Sequence, residues 1–268
     1  MLKDITLGQY FPMNSVVHRM DARYKIVITL IYLVMLFWGQ QIWSLAAGLI
    51  FTATAVFCSK IPPKMIIKSI KPIVPILIFT GLINLLMLDG GDVYWKWWVI
   101  RITEEGVQTS VFMIVRICLL IAGTSLLTYT TSPIVLTDAI ESLLSPMKKL
   151  KMPVHELAMM MTIALRFIPT LIEETSKIMA AQKARGADLE SGSIVQRAQA
   201  LVPILIPLFV SAFRRAEELA LAMECRCYHG GEGRTRLRKL QSGLRDYIAL
   251  AITLLMFAGV IVLNAVLH

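Results

Sequence analysis

The sequence has few charged residues. Asp, Glu, Lys and Arg make up only 17% of its 268 residues, whereas 56% are hydrophobic and the mean hydropathy is +0.67. A typical soluble domain carries about 25% charged residues. The composition therefore argues against a soluble protein and predicts an integral membrane protein.

Cysteines are also scarce and have no regular spacing. The four cysteines lie at positions 58, 118, 225 and 227, and the first two fall inside apolar runs, so a disulfide scaffold is not expected. The first residues, M-L-K-D-I-T-L-G-Q-Y-F-P, lack the apolar core and small-residue cleavage site of a signal peptide. We expect this segment to remain attached.

The sequence contains no motif for catalysis or cofactor binding. It has no Walker G-x-x-x-x-G-K-[ST] motif, and the glycine-rich G-G-E-G-R-T at 230–235 follows a helical pattern rather than a strand. The four histidines are scattered, and Cys225, Cys227 and His229 lack a fourth metal ligand. We therefore predict a non-catalytic protein without metal or cofactor, so that any ATP is hydrolysed by a partner.

Long apolar runs are what the sequence does contain. A helix needs about 20 apolar residues to cross the hydrocarbon core of a bilayer, although about 17 can suffice. Five runs with flanking residues meet this requirement and predict an all-α polytopic membrane protein with about five transmembrane helices. The predicted spans are Ile26–Trp38, Leu45–Phe57, Pro72–Leu88, Val107–Leu127 and Tyr247–Leu267.

The positions of Lys and Arg predict how these spans are oriented. Of the 27 Lys and Arg residues, all but Lys96, Arg101 and Arg116 lie in segments that the positive-inside rule assigns to the cytoplasm. The N-terminus and residues 131–246 are thus predicted to be cytoplasmic, and the C-terminus to lie outside. Since topology explains the net charge of +9, that charge does not indicate nucleic-acid binding.

This topology divides the chain into three parts. Residues 1–130 hold the first four membrane helices, residues 131–246 form a cytoplasmic coupling domain, and residues 247–268 form the last membrane helix. The middle part contains 16 Lys and Arg residues against 12 Asp and Glu residues. Apolar residues at spacings of three and four, among them Leu205 and Phe209, predict two long amphipathic helices within it. We expect their apolar stripes to be buried and charged residues such as Glu174 and Arg215 to face water.

The two amphipathic patterns end in the same way. A shift of 41 residues superposes their apolar stripes and places Arg185 on Arg226. One arginine stands between Ala184 and Gly186, and the other between Cys225 and Cys227. An arginine in the last helical turn followed by glycine is often ordinary capping. Two instances in matched register favour a pair of docking tips, because a planar guanidinium binds carboxylates or carbonyls in a fixed geometry.

Several motifs carry a resemblance to a known family. They are G-Q-Y at 8–10, S-V-V-H-R-M-D-A-R-Y-K at 15–25, A-R-G at 184–186, C-R-C at 225–227 and G-G-E-G-R-T at 230–235. In these motifs, and along its whole length, the chain resembles the transmembrane T component of energy-coupling factor transporters, EcfT. That family belongs to the vitamin and metal-ion uptake branch of ABC transporters.

The resemblance implies a scaffold in the cell membrane. In that family, coupling helices end in tips that dock in two ABC ATPase subunits, and ATP-driven movement passes to a separate substrate-binding membrane subunit, the S component. Arg185 and Arg226 would be the docking residues, with Ala184, Gly186, Cys225 and Cys227 around them. Cysteines replace the family's usual small residues in the second tip, which would suit two different ATPases.

The residues also leave rival functions open. A self-contained secondary transporter would need polar groups converging at mid-membrane, and the spans offer few besides Asn84 and Arg116. For Arg116 itself we expect a structural role, in which it either contacts a polar group such as Asn84 or lies nearer the membrane interface. A membrane enzyme would require clustered acidic residues or histidines.

Overall fold

The computed structural model describes residues 10–39, 41–87, 90, 93–97, 100–187, 193–230 and 240–266. Within these residues the chain divides into two compact units, one formed by 10–139 and 240–266 and the other by 140–230. Each unit is described by itself. Of the motifs above, Gly8, Gln9 and residues 231–235 lie outside the described residues, as does His268.

Helices dominate both units. In chain order the described α-helices are α1 Ala22–Trp38, α2 Ile42–Ser59, α3 Pro63–Ile70, α4 Val74–Met87, α5 Glu104–Thr130, α6 Pro133–Leu144, α7 Val154–Ala184, α8 Ile194–Glu224 and α9 Leu244–Val266. A short antiparallel hairpin, β1 Val93–Trp97 and β2 Ile100–Thr103, connects α4 to α5. The predicted all-α class is confirmed, and this hairpin is a local exception that the sequence did not indicate.

Each of the five predicted spans corresponds to a helix. A 3₁₀ turn at Lys71–Ile73 joins α3 to α4, so the span predicted from Pro72 belongs to a longer helical stretch, Pro63–Leu86. The turn lies where Pro72 and Pro75 interrupt the backbone hydrogen bonding. The start of α1 at Ala22 is also earlier than predicted, because Asp21 accepts a hydrogen bond from the Arg23 backbone and caps the helix.

Six helical stretches in the described chain are long and apolar enough to cross a membrane. Four of them, α2, α3–α4, α5 and α9, coincide with predicted spans, and α1 adds a shorter helix of 17 residues. The other two are α7 and α8, which have the lowest mean hydropathy of the six, 1.3 each. The chain is therefore a multi-pass membrane protein. By length and composition alone, α7 and α8 could also cross the membrane.

The core of the first unit lies where α1, α2, α5 and α9 meet. Tyr32, Met35, Leu36, Leu45, Leu119 and Val260 form its buried cluster. The Tyr32 hydroxyl lies 2.7 Å from Thr52 Oγ1 and donates to the Leu119 carbonyl at 3.0 Å. A Cβ added at Gly123 would lie 2.3 Å from the Tyr32 ring. The absence of a side chain at Gly123 thus allows α5 to pack closely against α1.

Candidate functional site

The first predicted tip is the C-terminal end of α7. Gly186 N–H donates to the Lys183 carbonyl and Ala187 N–H donates to the Gln182 carbonyl, each at 3.0 Å. These two bonds form a Schellman motif with Arg185 at the C-cap and Gly186, at φ 86°, in the left-handed position. The last carbonyls of the helix are thereby satisfied by the backbone, and the exposed Arg185 side chain is not needed to cap them.

The second tip, at the end of α8, has the same hydrogen bonds. Cys227 N–H donates to the Glu224 carbonyl at 2.8 Å, and Tyr228 N–H donates to the Met223 carbonyl at 3.1 Å. Relative to these bonds, Arg226 occupies the same place as Arg185, and Cys227 occupies the same place as Gly186. The 41-residue register predicted from the apolar stripes therefore extends to the backbone of the two tips.

The tips differ in the residue that takes the left-handed conformation. Cys227 adopts φ 55°, a value that residues with a Cβ reach at a cost of roughly 1–2 kcal/mol. Gly186 reaches φ 86° without that cost, and a Cβ added there would meet no atom within 4 Å. The second tip retains its shape despite a residue that disfavours it.

The helices α7 and α8 pack in opposite directions. Near the middle of α7, Glu174 Oε2 accepts a hydrogen bond from Arg215 at 2.8 Å, and its Oε1 accepts one from Ser211. Eight residues later along α7, Gln182 Nε2 donates to the Pro203 carbonyl at 3.3 Å. From the first contact to the second, the residue number rises on α7 and falls on α8. The two helices are therefore antiparallel, and their two tips lie at opposite ends of the pair.

Glu174 and Arg215 were predicted to face water, and the structure bears this out only in part. Their side chains are 23% and 38% exposed, and they form an ion pair between the helices. They also occupy equivalent positions under the 41-residue shift. Mutual contact between equivalent positions in an antiparallel pair is the arrangement that a local two-fold relationship produces. Each tip arginine then lies about 16 Å from this ion pair, measured along its own helix axis.

The predicted site residues thus form two separate groups. Ala184, Arg185 and Gly186 are exposed at one tip, and Cys225, Arg226 and Cys227 are exposed at the other. Arg226 and Cys227 also line a cavity of ≈ 470 Å³, together with Met159, Ile163, Leu219, Met223, Tyr228, His229 and Gly230. No group of three possible metal ligands comes together among the residues that the structure describes.

The motif at 15–25 has a structural role that the sequence analysis did not assign. Arg23 binds the Asp21 carboxylate at 2.6 Å and the Leu240 carbonyl at 3.3 Å, and the Asp21 N–H donates to Asp246 at 3.1 Å. Lys25 donates to the Thr130 carbonyl at 3.0 Å. These bonds tie the start of α1 to the end of α5 and the start of α9.

Only Asp246 carried a sequence signal for this role. It stands three residues after Gly243 and accepts a hydrogen bond from the Gly243 N–H at 2.8 Å, as the acidic residue of a capping box does. An Asp at this spacing before an apolar run could have predicted the start of α9. No signal in the sequence indicated that Asp21 contacts Asp246, because 225 residues separate them in the chain.

The surroundings of Asp21 and His18 lower the pKa of both side chains. Burial alone would raise the pKa of Asp21, but hydrogen bonds from Arg23 and its charge hold the pKa below the ordinary 3.8. Burial lowers the pKa of His18, and the positive charge of Lys25 lowers it further. The hydrogen bond to the Phe11 carbonyl acts in the opposite direction and raises it. Neutral His18 can accept from Ser15 through Nδ1, 2.7 Å away, while it donates to Phe11 through Nε2.

Arg116 contacts the C-terminal end of α1, so of the two alternatives considered for it, contact with Asn84 is not the one observed. Its guanidinium donates to the Gly39 carbonyl at the end of α1 and lies over the Phe112 ring, 4.6 Å from the centroid. Asn264 donates to the neighbouring Trp38 carbonyl at 2.9 Å. These bonds satisfy carbonyls at the C-terminus of α1, where a cation also complements the helix dipole. The Arg116 contact is thus structural and does not involve Asn84.

The chain is similar to proteins of known family along nearly its whole length. Residues 13–237 match the family described as CbiQ, Cobalt transport protein. Three relatives are described as "Energy-coupling factor transporter transmembrane protein EcfT". The chain is 51% identical to that of Ruminiclostridium cellulolyticum over 266 residues, 99% of each chain. It is 53% identical to that of Clostridium kluyveri over 250 residues, 93% of each chain, and 48% identical to that of Bacillus subtilis over 240 residues, 90% of this chain and 91% of the relative.

These similarities agree with the helical membrane fold and cover both tips and the 15–25 motif. They confirm the resemblance first drawn from short motifs. The chain belongs to the CbiQ-like family of energy-coupling factor transporter transmembrane proteins.

Proposed function

We propose that this chain is the coupling scaffold of an ATP-driven importer and that its two tips dock in two ABC ATPase subunits. The observation that carries this proposal is the matched pair of Schellman motifs, each with an arginine immediately before the residue in the left-handed conformation. Two equivalent tips at opposite ends of an antiparallel pair suit two ATPase subunits that are themselves related by a two-fold axis. ATP is hydrolysed by those partners, and the chain itself is not catalytic.

The chemistry of the tips supports a docking role. Because the backbone satisfies the last carbonyls of α7 and α8, the guanidinium groups of Arg185 and Arg226 remain available for another protein. A planar guanidinium can form two parallel hydrogen bonds with a carboxylate and can also bind carbonyls. The difference between Gly186 and Cys227 is consistent with two ATPases that are not identical.

A separate substrate-binding membrane subunit would contact the apolar surface of α8. Leu205, Phe209 and Phe213 are 45%, 60% and 73% exposed, although Leu205 and Phe209 belong to the apolar stripe that was expected to be buried. Adjacent exposed apolar side chains of this size typically mark an interaction surface. Movement of the tips would reach that subunit through α7 and α8, which the Glu174–Arg215 ion pair links.

The proposed topology places residues 131–246 and the N-terminus in the cytoplasm and the C-terminus outside. The positive-inside rule supports it, since Arg19, Arg23 and Lys25 precede α1 or lie in its first turn, and Lys60 and Lys64 follow α2. The tips then lie on the side where ATP is available, and the remaining partner is the lipid bilayer.

Charge reversal at the tips tests the docking proposal. In the Arg185→Glu and Arg226→Glu double variant, we expect affinity purification through this chain to lose both ATPase subunits while the substrate-binding subunit is recovered. The physical reason is that a carboxylate at either tip would repel an acidic partner group and could not donate hydrogen bonds. Recovery of both ATPases in full would show that the docking assignment is wrong.

Two further variants separate geometry from charge. Arg214→Glu reverses a charge on the exposed surface of α8 away from the tip, and it should retain both ATPases. The Arg185→Lys and Arg226→Lys double variant keeps the charges but removes the planar donors, and it should reduce ATP-driven uptake. Unchanged uptake in the lysine variant would contradict the proposed guanidinium geometry.

A further inference from the structure

A cavity of ≈ 560 Å³ lies inside the first unit between α1, α2, α5 and α9. Its inner wall includes Tyr32 and Thr253, each 1% exposed, and its outer rim includes Ile50 and Ile252, which are 60% and 50% exposed. The cavity therefore opens between α2 and α9. These helices contribute Leu45 and Val260 to one buried cluster, while Cys58 of α2 and Arg245 of α9 line the cavity.

The hydroxyl hydrogens of the side chains that line this cavity are already donated within the unit. Each of the six hydroxyl-bearing side chains that line it makes a hydrogen bond within the unit. Four of these bonds run from a threonine to the carbonyl four residues earlier, from Thr29 to Lys25, Thr54 to Ile50, Thr130 to Leu126 and Thr253 to Ala249. Thr52 donates to the Gly48 carbonyl and lies 2.7 Å from the Tyr32 hydroxyl.

The saturated lining selects the type of occupant. A polar ligand that entered the cavity would lose its bonds to water and would find no free hydroxyl hydrogen to accept in their place, and burying a polar group without such a bond costs several kcal/mol in order of magnitude. An alkyl chain would lose no hydrogen bonds and would bury apolar surface, worth about 0.8 kcal/mol for each buried methylene. The cavity therefore fits an acyl chain and does not fit a vitamin or a hydrated metal ion.

Two cations line the cavity, and only one is available to a ligand. Lys25 Nζ is already bound to the Thr130 carbonyl at 3.0 Å, to Thr131 Oγ1 at 3.2 Å and to the His18 carbonyl at 3.4 Å. Arg245 is exposed and has no hydrogen-bond or ion-pair partner within the part of the chain that the structure describes. An arginine fork of this kind matches the oxygens of a phosphate group.

We propose that this cavity is a phospholipid site, with one acyl chain between α2 and α9 and the lipid phosphate bound by Arg245. The apolar interior and the free guanidinium at one end complement the two parts of one molecule. Arg245 lies in the first turn of α9, and the next residue, Asp246, accepts a hydrogen bond from the Asp21 N–H. The lipid would therefore bind beside the junction of α1, α5 and α9. The proposal does not depend on docking of the ATPases.

The test is native mass spectrometry of the full-length chain, released from mild detergent after incubation with defined lipids. The probes are phosphatidylglycerol and a diacylglycerol with the same acyl chains, which lacks the phosphate. We expect one phosphatidylglycerol to be retained and the diacylglycerol to be retained about tenfold less, the effect of losing one charge-assisted contact. Arg245→Gln should abolish this difference, whereas Arg19→Gln, at an exposed arginine that does not line the cavity, should preserve it.

Filling the cavity tests the acyl-chain half of the proposal. Ala249→Phe and Ala55→Phe each place a ring inside the cavity from a different helix, so either variant that folds should lose both lipids. Labelling of Cys58, which lines the cavity, gives a second measurement that needs no substitution in the cavity wall. Phosphatidylglycerol should slow the reaction of Cys58 with a maleimide, and inorganic phosphate should not.

Two results would overturn the assignment. In one, the Arg245 and cavity-filling variants retain as much phosphatidylglycerol as the natural chain, which is the behaviour of lipid bound only to the outer surface. In the other, millimolar inorganic phosphate displaces the lipid or protects Cys58, which would indicate an anion site that does not use the acyl chain.

Discussion

Glu174 on α7 and Arg215 on α8 lie 2.8 Å apart, and they are separated in the chain by 41 residues, as Arg185 and Arg226 are. The ion pair therefore lies at the centre of a duplicated arrangement. Arg185 follows Glu174 by the same number of residues as Arg226 follows Arg215. Movement that separates the tips has to change the packing around this pair, because it links the two helices near their midpoint.

Loss of the charge at Glu174 should weaken coupling without releasing the ATPases. Glu174→Gln keeps the size of the side chain but removes the ion pair with Arg215, so ATP-driven uptake should fall about two- to fivefold, as expected for a half-exposed pair. ATPase recovery should not change, since the tips are intact. Uptake and ATP hydrolysis by the complete transporter in proteoliposomes provide the measurement. Glu173→Gln, at the exposed neighbouring position, is the control, and equal uptake in both variants would contradict the role of the pair.

Cys227→Gly should stabilise the second tip. The substitution removes the Cβ from a residue at φ 55° and should favour the Schellman motif by about 1 kcal/mol. Hydrogen exchange of the Cys227 and Tyr228 amides, which donate the two bonds of the motif, should slow about fivefold. Cys227→Ala removes the thiol but keeps the Cβ, so it should leave exchange near its natural rate. If both variants slow exchange equally, the thiol rather than the backbone is responsible.

The acid limit of stability should depend on Asp21. Its pKa is lowered in the folded chain, so ionised Asp21 adds to the free energy of unfolding above the ordinary pKa, and this contribution is lost as the pH falls through the lowered value. Asp21→Asn keeps a good N-cap residue but not the ion pair. We expect the variant to unfold at a lower temperature than the natural chain at pH 7 and the difference to shrink toward pH 3, as measured by thermal unfolding in detergent.

A control in the same unit makes the Asp21 prediction specific. Asp138 is half-buried and has no ion-pair partner in the described chain, so Asp138→Asn removes an acid without removing such a bond. A difference between Asp21→Asn and the natural chain that stays constant from pH 7 to pH 3 would mean that the Asp21 charge does not contribute as inferred.

Gly123→Ala should destabilise the membrane unit. The added Cβ would lie 2.3 Å from the ring of Tyr32, whose hydroxyl donates to the Leu119 carbonyl and lies 2.7 Å from Thr52 Oγ1. Overpacking of this kind costs roughly 1–3 kcal/mol. Gly259→Ala, where an added Cβ meets no atom within 4 Å, should be neutral or slightly stabilising because alanine favours helix. Thermal unfolding in detergent distinguishes them, and equal stability of the two variants would refute the close packing.

The sequence by itself determined the membrane class, the approximate spans, the family and the matched register of the two tips. These features depend on local properties, since apolar length decides whether a helix can cross a bilayer and stripe spacing decides which side chains share a face. Arg185 and Arg226 were found in the same way. Their common backbone motif was only partly predictable, because Gly186 is the usual residue for a left-handed C-cap and Cys227 is not.

Only the tertiary structure decided which distant residues meet. The antiparallel direction of α7 and α8, the Glu174–Arg215 pair, the Asp21–Asp246 contact and the Gly39 partner of Arg116 all join residues far apart in the chain. A charged residue in a sequence can either face water or form an ion pair, and the choice depends on the groups that packing brings near it. The apolar cavity has the same origin, because a space between helices is set by how they separate and not by any one of their patterns.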